Sequence, residues 1–257
     1  MNRIITTLCA LLLIQFLVVN KTYSAEDEVK DCFEKLNRVT FALNMGLDKV
    51  IFKPIAKGYR KLPSPIRNGT GNALNNLSNL ITIPNNILQG DFGSAVNNSA
   101  RLVINTTLGI AGIFDPANSF GFERREKEDF GQSLGVMGVG EGCYLVLPVL
   151  GPTTIRDTVG SLIAMNGGDT WHNITVRDDE EYVKEFKESD YWVSRVTSGV
   201  DFRAKNLEAF DAMEKNSVDL YATVRSLYLQ DRKKKINNSN NKIEAMDDGD
   251  WDTIDNQ

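Results

Sequence analysis

From Asn68 to Phe114 the chain carries only two charged residues, Asp91 and Arg101. At the usual share of charged residues, a soluble segment of this length would carry about a dozen. Asn, Ser, Thr and Gly interrupt the stretch throughout, so it does not read as one apolar helix that crosses a bilayer. The composition predicts surroundings in which charge is costly but amides and hydroxyls are tolerated.

A second charge-poor run, Phe130 to Ile155, holds only Glu141. Between the two runs every residue from Glu123 to Asp129 is charged. We call residues 123–129 the charged collar. This alternation of charge-poor and fully charged segments is the strongest functional signal in the sequence.

The first charge-poor stretch predicts two amphipathic helices. One has an amide face with helical spacing and an apolar face elsewhere, and Pro84 is expected to break it. The second helix is predicted over residues 92–108, with Asp91 as its N-terminal cap. The amide face of the first is Asn72, Asn75, Asn76 and Asn79, with Leu74, Leu77 and Ile81 on its apolar face; the second places Asn98, Arg101 and Asn105 on its polar stripe.

Two environments could hold such helices. In a soluble core the apolar faces would be satisfied, but each unpaired buried amide would cost roughly 1–3 kcal/mol. At a membrane the apolar faces meet acyl chains and the amides line a wet interior. Charge would be scarce there, because a charge at the bilayer centre costs roughly 2.5–3.5 kcal/mol. Helices this short would lie in one leaflet rather than span it, and the pattern favours this membrane interpretation.

The N-terminus predicts an export signal in residues 1–25. Arg3 is followed by an apolar run from Leu8 to Val19, and a small-residue cleavage site ends at Ala25. An uncleaved N-terminal anchor is the alternative. Cys9 would leave with the signal and lacks the context of a lipid-anchored cysteine. Cys32 and Cys143 remain, either as a disulfide or as two free thiols.

The rest of the mature chain predicts an all-α fold with one compact domain over residues 31–232. A helix is expected over 34–52 and another from Pro54, ended by Pro63 and Pro65. Frequent glycines argue against a helix in residues 130–152. The remaining predicted segments are an extended piece at Tyr144–Pro148, a helix at 157–166, amphipathic helices after residue 178 (one striped by Tyr182, Val183, Phe186 and Val193), and a disordered acidic tail over 233–257.

The sequence contains one candidate catalytic motif. Gly131 to Gly135 matches the G-x-S-x-G elbow of lipases and esterases, with Ser133 as nucleophile and His172 following Asp157 or Asp169 in order. No buried strand precedes the serine, so we expect no enzyme. His172 is the only histidine and no C-x-x-C occurs, so neither a metal site nor a cofactor is expected. The net charge of −5 argues against a nucleic-acid partner.

A series of sequence blocks follows in order along residues 31–176. The blocks are Asp31-x-Phe33-Glu34-Lys35-Leu36-Asn37-Arg38, Lys53-Pro54-Ile55-Ala56, Pro84-Asn85-x-x-Leu88-Gln89-Gly90, Arg101-x-x-x-Asn105-Thr106, Phe114-Asp115, Asp129 to Gly135, Gly142-x-Tyr144-x-x-Leu147-Pro148 and Gly151-Pro152-x-x-x-Arg156-Asp157. Together they resemble the MlaA/VacJ family of outer-membrane lipid-asymmetry proteins. Two departures stand out: the family's usual lipid-anchor cysteine has no credible counterpart here, and Cys32 stands where the family usually has proline. At the position of Ser133 the family also shows threonine.

The resemblance implies a ring of amphipathic helices around a central channel, embedded in the inner leaflet of the bacterial outer membrane. Such a ring would pass misplaced outer-leaflet phospholipid to a periplasmic lipid-binding protein. Trimeric outer-membrane porins would be its membrane partners, and an inner-membrane ABC transporter would complete the retrograde route. A soluble periplasmic lipid carrier, with the charge-poor helices around a closed cavity, is the main alternative.

On this hypothesis Asn75, Asn79, Arg101 and Asn105 line or rim the polar path, with Arg101 meeting phosphate. Gly138, Gly140 and Gly142 form a hinge that gates it.

Overall fold

The structure is a computed structural model that describes residues 29–177 and 186–247, with side chains described as far as residue 237. The predicted signal peptide, Tyr182 and Val183 of the predicted stripe, and residues 248–257 of the predicted tail lie outside these ranges.

The described ranges are mostly helical, as predicted, and their only sheet is one antiparallel hairpin. None of the described helices has the length and hydropathy needed to cross a membrane. The helices are α1 (Glu34–Leu47), α2 (Lys53–Arg60), α3 (Ser64–Leu88), α4 (Phe92–Thr107), α5 (Pro116–Ser119), α6 (Phe130–Val136), α7 (Ile155–Ile163), α8 (Thr170–His172), α9 (Glu188–Lys205), α10 (Leu207–Asn216) and α11 (Leu220–Asp247); the strands are β1 (Tyr144–Leu147) and β2 (Gly151–Thr154); π-helical segments cover Asp48–Phe52, Ala164–Gly168 and Asn173–Arg177.

Proline has different effects at its several positions. Pro54 lies in the first turn of α2, and Pro65 in the first turn of α3, where a missing N–H costs nothing. Pro84 does not break α3, contrary to the prediction, and the helix runs on to Leu88. Side-chain donors add bonds around it, since the Asn85 amide donates to the carbonyl of Ile81 at 2.8 Å.

A short helix, α6, lies inside the glycine-rich run that was predicted to be non-helical. Asp129 caps it by accepting from the backbone N–H of Gln132 at 2.9 Å. The glycines bring α6 and α7 together, because a Cβ on Gly160 would lie 2.3 Å from the backbone nitrogen of Gly131. Tertiary packing therefore outweighs the poor helix propensity of this segment. The predicted extended piece is present as β1.

The last helix continues past the predicted domain boundary at residue 232, so the predicted disorder does not match residues 233–247. Ile236 is buried, and a Cβ on Gly135 would lie 2.6 Å from its Cδ1 atom. One apolar anchor thus packs this part of α11 against α6, which the composition of the segment does not reveal.

Buried polar and charged side chains outnumber buried apolar ones in the described ranges. Two small apolar clusters exist, one around Ala56, Ala204 and Leu207 and one around Tyr144, Val146 and Tyr221. Many large apolar side chains instead face outward, including Leu36, Val39 and Leu43 along α1. The distribution is the reverse of that in an ordinary water-soluble domain.

Candidate functional site

The contact between α3 and α4 is made by hydrogen-bonded amides. Asn98 donates to the Oδ1 atom of Asn86 at 2.9 Å, and Asn76 donates to the Thr106 hydroxyl at 2.9 Å. All but Thr106 are buried. Amides that the sequence suggested would need water or a lumen therefore find partners inside the protein, and Asn76 is one of them.

The apolar face of α4 points away from this contact. Val96 is 67% exposed and Val103 is 62% exposed, and Phe92 is also exposed. The turn after α4 continues the same surface through Leu108, Ile110 and Phe114. We call this the outer apolar face, defined by Phe92, Val96, Val103, Leu108, Ile110 and Phe114. A contiguous apolar surface of this kind marks a membrane or protein contact.

A small open cavity of about 40 Å³ lies on the opposite, polar side. Its walls come from α3, α4 and the charged collar. The four residues proposed from the sequence for the polar path, Asn75, Asn79, Arg101 and Asn105, are all on these walls; the remaining lining residues are Asn72, Asn76, Ser78, Thr82, Asn98, Asp115, Arg124, Arg125, Glu126 and Lys127.

Asp115 organises one end of the cavity. The Nη2 atom of Arg101 donates to both of its carboxylate oxygens, at 2.8 and 2.9 Å, and Asn105 (2.9 Å) and Arg124 also donate to it. Burial alone would raise the pKa of Asp115, but hydrogen bonds from Arg101, Arg124 and Asn105 outweigh it and lower that pKa.

Arg101 is therefore held within the protein. Besides the pair with Asp115, its guanidinium donates to the carbonyl of Phe122. The side chain predicted to meet phosphate is engaged by a carboxylate and a carbonyl instead, so its position in the wall is structural in this geometry.

The charged collar supplies the residues that sequence reasoning did not assign. Arg124 bonds to Asn72 at 2.6 Å, and this contact brings the collar against α3. Arg125, Glu126 and Lys127 then line the cavity opposite the amide face. The available signal was the run itself, in which every residue is charged within a charge-poor region.

Lys127 stands in a positive field. Desolvation by the surrounding protein lowers its pKa, and so do the charges of Lys205, Arg124 and Arg195, while Asp201 acts in the opposite direction. Asp201 is itself bonded to Lys205 at 2.6 Å. The side chain of Lys127 nevertheless remains accessible to solvent.

The predicted hinge glycines do not line this cavity. Gly138 and Gly142 have positive φ angles of 88° and 69°, which favour glycine. The loop between them is attached to α7, since the backbone N–H of Arg156 donates to the carbonyl of Glu141 at 3.2 Å. Next to it, Cys143 is joined to Cys32 in a disulfide.

The apparent nucleophile elbow is a buried structural contact. The Ser133 hydroxyl donates to the Oδ1 atom of Asn85 at 2.6 Å and accepts from Gln89 at 3.0 Å. The His172 ring packs against Tyr191, with ring centroids 5.0 Å apart. Asp157 is paired with Arg232. The described contacts of these three candidate residues do not assemble a catalytic triad.

The model of the family described as "MlaA lipoprotein" matches residues 29–235. The chain belongs to this family. Similar proteins include an uncharacterized protein of Rickettsia prowazekii, 35% identical over 77% of this chain and 75% of that protein. The intermembrane phospholipid transport system lipoprotein MlaA of Escherichia coli K12 is 33% identical over 87% of this chain and 86% of that protein.

A solved structure reported for the maintenance of bacterial outer membrane lipid asymmetry matches with a TM-score of 0.65 and 31% identity. The alignment covers 80% of this chain and 99% of the solved chain. The family match over residues 29–235 includes the helices that build the cavity and the outer apolar face.

Proposed function

We propose that this MlaA-family chain moves phospholipids between the membranes of a bacterial envelope. It lies in the inner leaflet of the outer membrane and takes up phospholipid that is misplaced in the outer leaflet. A polar cavity and an outer apolar face on opposite sides of α4 carry this proposal. A phospholipid needs both environments, one for its headgroup and one for its chains.

The outer apolar face places acyl chains of the bilayer against α4. Exposed valines and phenylalanine on this face lose water when lipid covers them, at about 25 cal/mol for each Å² buried. The headgroup passes along the cavity, where Asn75 and Asn79 offer neutral donors and acceptors. Neutral amides suit a path that lipid must leave again, because they bind less strongly than paired charges.

Lipid leaves the cavity to a periplasmic lipid-binding protein. An inner-membrane ABC transporter then receives it, and a trimeric porin holds the ring at its site in the outer membrane. The name of the Escherichia coli relative, which places it in an intermembrane phospholipid transport system, supports this route.

Reconstitution tests the proposal. The purified chain is placed in vesicles that contain fluorescent phospholipid, and transfer to a periplasmic lipid-binding acceptor is followed over time. The wild type is expected to transfer lipid. Asn75→Leu combined with Asn79→Leu is expected to slow transfer about tenfold, because two polar contacts in the path are lost.

The matched control is Asn237→Leu, an exposed helical amide on α11 outside the cavity. It should transfer lipid at the wild-type rate. A wild-type chain that binds the vesicles but transfers no lipid to the acceptor contradicts the proposed function.

A further inference from the structure

The polar side chains around the cavity fall into two groups. Most amides of α3 and α4 are bonded within the protein, such as Asn76 to Thr106 and Asn98 to Asn86. The side-chain amides of Asn75 and Asn79 make no hydrogen bond to any described residue, although both line the cavity. These two amides are therefore available to a ligand.

The cationic side chains around the cavity also fall into two groups, according to whether they form an ion pair. Arg101 and Arg124 are both bonded to Asp115. Arg125 and Lys127 also line the cavity, but within the described ranges their side chains have no ion pair closer than 4 Å. Lysine and arginine on the wall of a cavity, with free amides opposite, form a donor set suited to an oxyanion.

We propose that Lys127 and Arg125, together with the amides of Asn75 and Asn79, bind the phosphate of a phospholipid headgroup. The inference rests on the proposed function and names the chemistry of its site. A phosphodiester carries one negative charge and two free oxygens, which two cations and two amide N–H donors can share. Arg101, which the sequence suggested for this role, holds Asp115 and the collar in place instead.

The surroundings of Lys127 fit this assignment. Lys205 and Arg195 on α9, with Arg124 of the collar, repel its positive charge, and Asp201 acts in the opposite direction. Asp201 is already bonded to Lys205. A bound phosphate would relieve this repulsion.

Binding of short-chain lipids to the purified full chain, in a phosphate-free non-ionic detergent, tests the site. The probes are dihexanoylphosphatidylglycerol, dihexanoylglycerol, which lacks phosphate, and inorganic phosphate. Lys127→Gln is expected to weaken binding of the phospholipid about tenfold or more, the effect of one charge-assisted hydrogen bond. Its binding of dihexanoylglycerol should equal that of the wild type. The control Lys215→Gln, an exposed lysine on α10, should bind all probes like the wild type.

The pH dependence separates a charge in the site from a structural side chain. Phosphate favours protonated Lys127, so affinity for the phospholipid should fall as pH rises through its lowered pKa. Lys127→Arg keeps its charge and should retain affinity in that range. Equal alkaline loss in both proteins contradicts the assignment.

Three further outcomes separate a failure of the phosphate site from a failure of the proposed function. If Lys127→Gln melts like the wild type and binds the phospholipid equally well, the site is wrong even where lipid transfer by the wild type succeeds. If inorganic phosphate binds as tightly as the phospholipid and displaces it, the ligand is free phosphate and the lipid assignment fails. A wild type that transfers no lipid refutes the proposed function, whatever the phosphate probes show.

Discussion

Gly112 is tightly constrained in the turn after α4. Gly112 has a φ angle of 88°, and a Cβ there would lie 2.6 Å from the Cβ atom of Asn76. We expect Gly112→Ala to lower the free energy of unfolding by about 2 kcal/mol, through backbone strain and displacement of the Asn76 amide. Thermal unfolding in detergent measures this.

Gly199→Ala is the matched control. Gly199 lies inside α9 with nothing near its Cβ position. Alanine should stabilise this helix by about 0.5–1 kcal/mol. Equal melting temperatures for both variants would show that the tight contact at Gly112 is not important for stability.

Arg232 holds two carboxylates together. It pairs with Asp129 at 2.6 Å and with Asp157 at 2.7 Å, and it is buried with Asp157. Burial would raise the pKa of Asp129, but Arg232 and Gln132 outweigh this and lower that pKa to about 2. The stabilisation is therefore complete above the ordinary value of 3.8 and is lost as pH falls from about 4 to 2.

Arg232→Gln should destabilise the protein by about 3 kcal/mol near neutral pH, since it removes the cation that Asp129 and the buried Asp157 share and leaves Asp157 with Arg156 alone. It should also flatten the loss of stability between pH 4 and 2. Urea unfolding at several pH values checks both effects. Arg60→Gln, which removes an exposed pair with Glu208, is the control and should change little. An unchanged acid profile in Arg232→Gln would contradict this account of Asp129.

At the scale of elements, the disulfide and the side-chain amides of Asn37 and Asn44 join the N-terminal segment to the hairpin. Asn37 of α1 donates to the carbonyl of Tyr144 at 3.0 Å and accepts from the N–H of Val146 at 3.0 Å. The bond between Cys32 and Cys143 closes a loop of 111 residues beside them. The sequence left this pairing open, because two cysteines so far apart carry no local signal.

Replacing both cysteines by serine should lower the free energy of unfolding by about 2–4 kcal/mol, because closure of a long loop restricts the unfolded chain. Thermal unfolding with and without reductant measures the change. Reductant should lower the melting temperature of the wild type and leave the double variant unaffected. A wild type that is insensitive to reductant after unfolding and refolding in its presence contradicts a stabilising bond.

Elements that are marked by the spacing of their own residues or by a capping residue could be predicted from the sequence. The amide spacing located α3, and Asp91 capped α4 as expected by accepting from Ser94 at 2.9 Å. Helix α6 and the end of α11 could not be predicted, because they depend on close approach at Gly160 and on the anchor Ile236. Asn75 and Asn79 were found by periodicity. Periodicity could not place Arg125 and Lys127 on the cavity wall, because the collar is neither helix nor strand and lies beside α3 through tertiary contacts such as those of Arg124 with Asn72 and of Glu128 with Gln89.

At the scale of the whole molecule, the outer apolar face predicts the cell fraction in which the protein is recovered. A chain embedded through the outer apolar face should stay in the membrane fraction after osmotic shock and require detergent for release. Fractionation of cells that express the full chain tests this, with a periplasmic enzyme as the released control. Release by osmotic shock alone would favour a soluble lipid carrier.

The amide bonds between α3 and α4 also limit how the molecule can move. Asn86 meets Asn98 and Asn76 meets Thr106 at one alignment of the two helices. A slip by one helical turn, about 5.4 Å, would break both bonds together and leave buried amides without partners. These two bonds therefore fix the alignment of α3 and α4 and oppose gradual sliding of one helix along the other. Any widening of the proposed lipid path would therefore come from the segments that border these two helices.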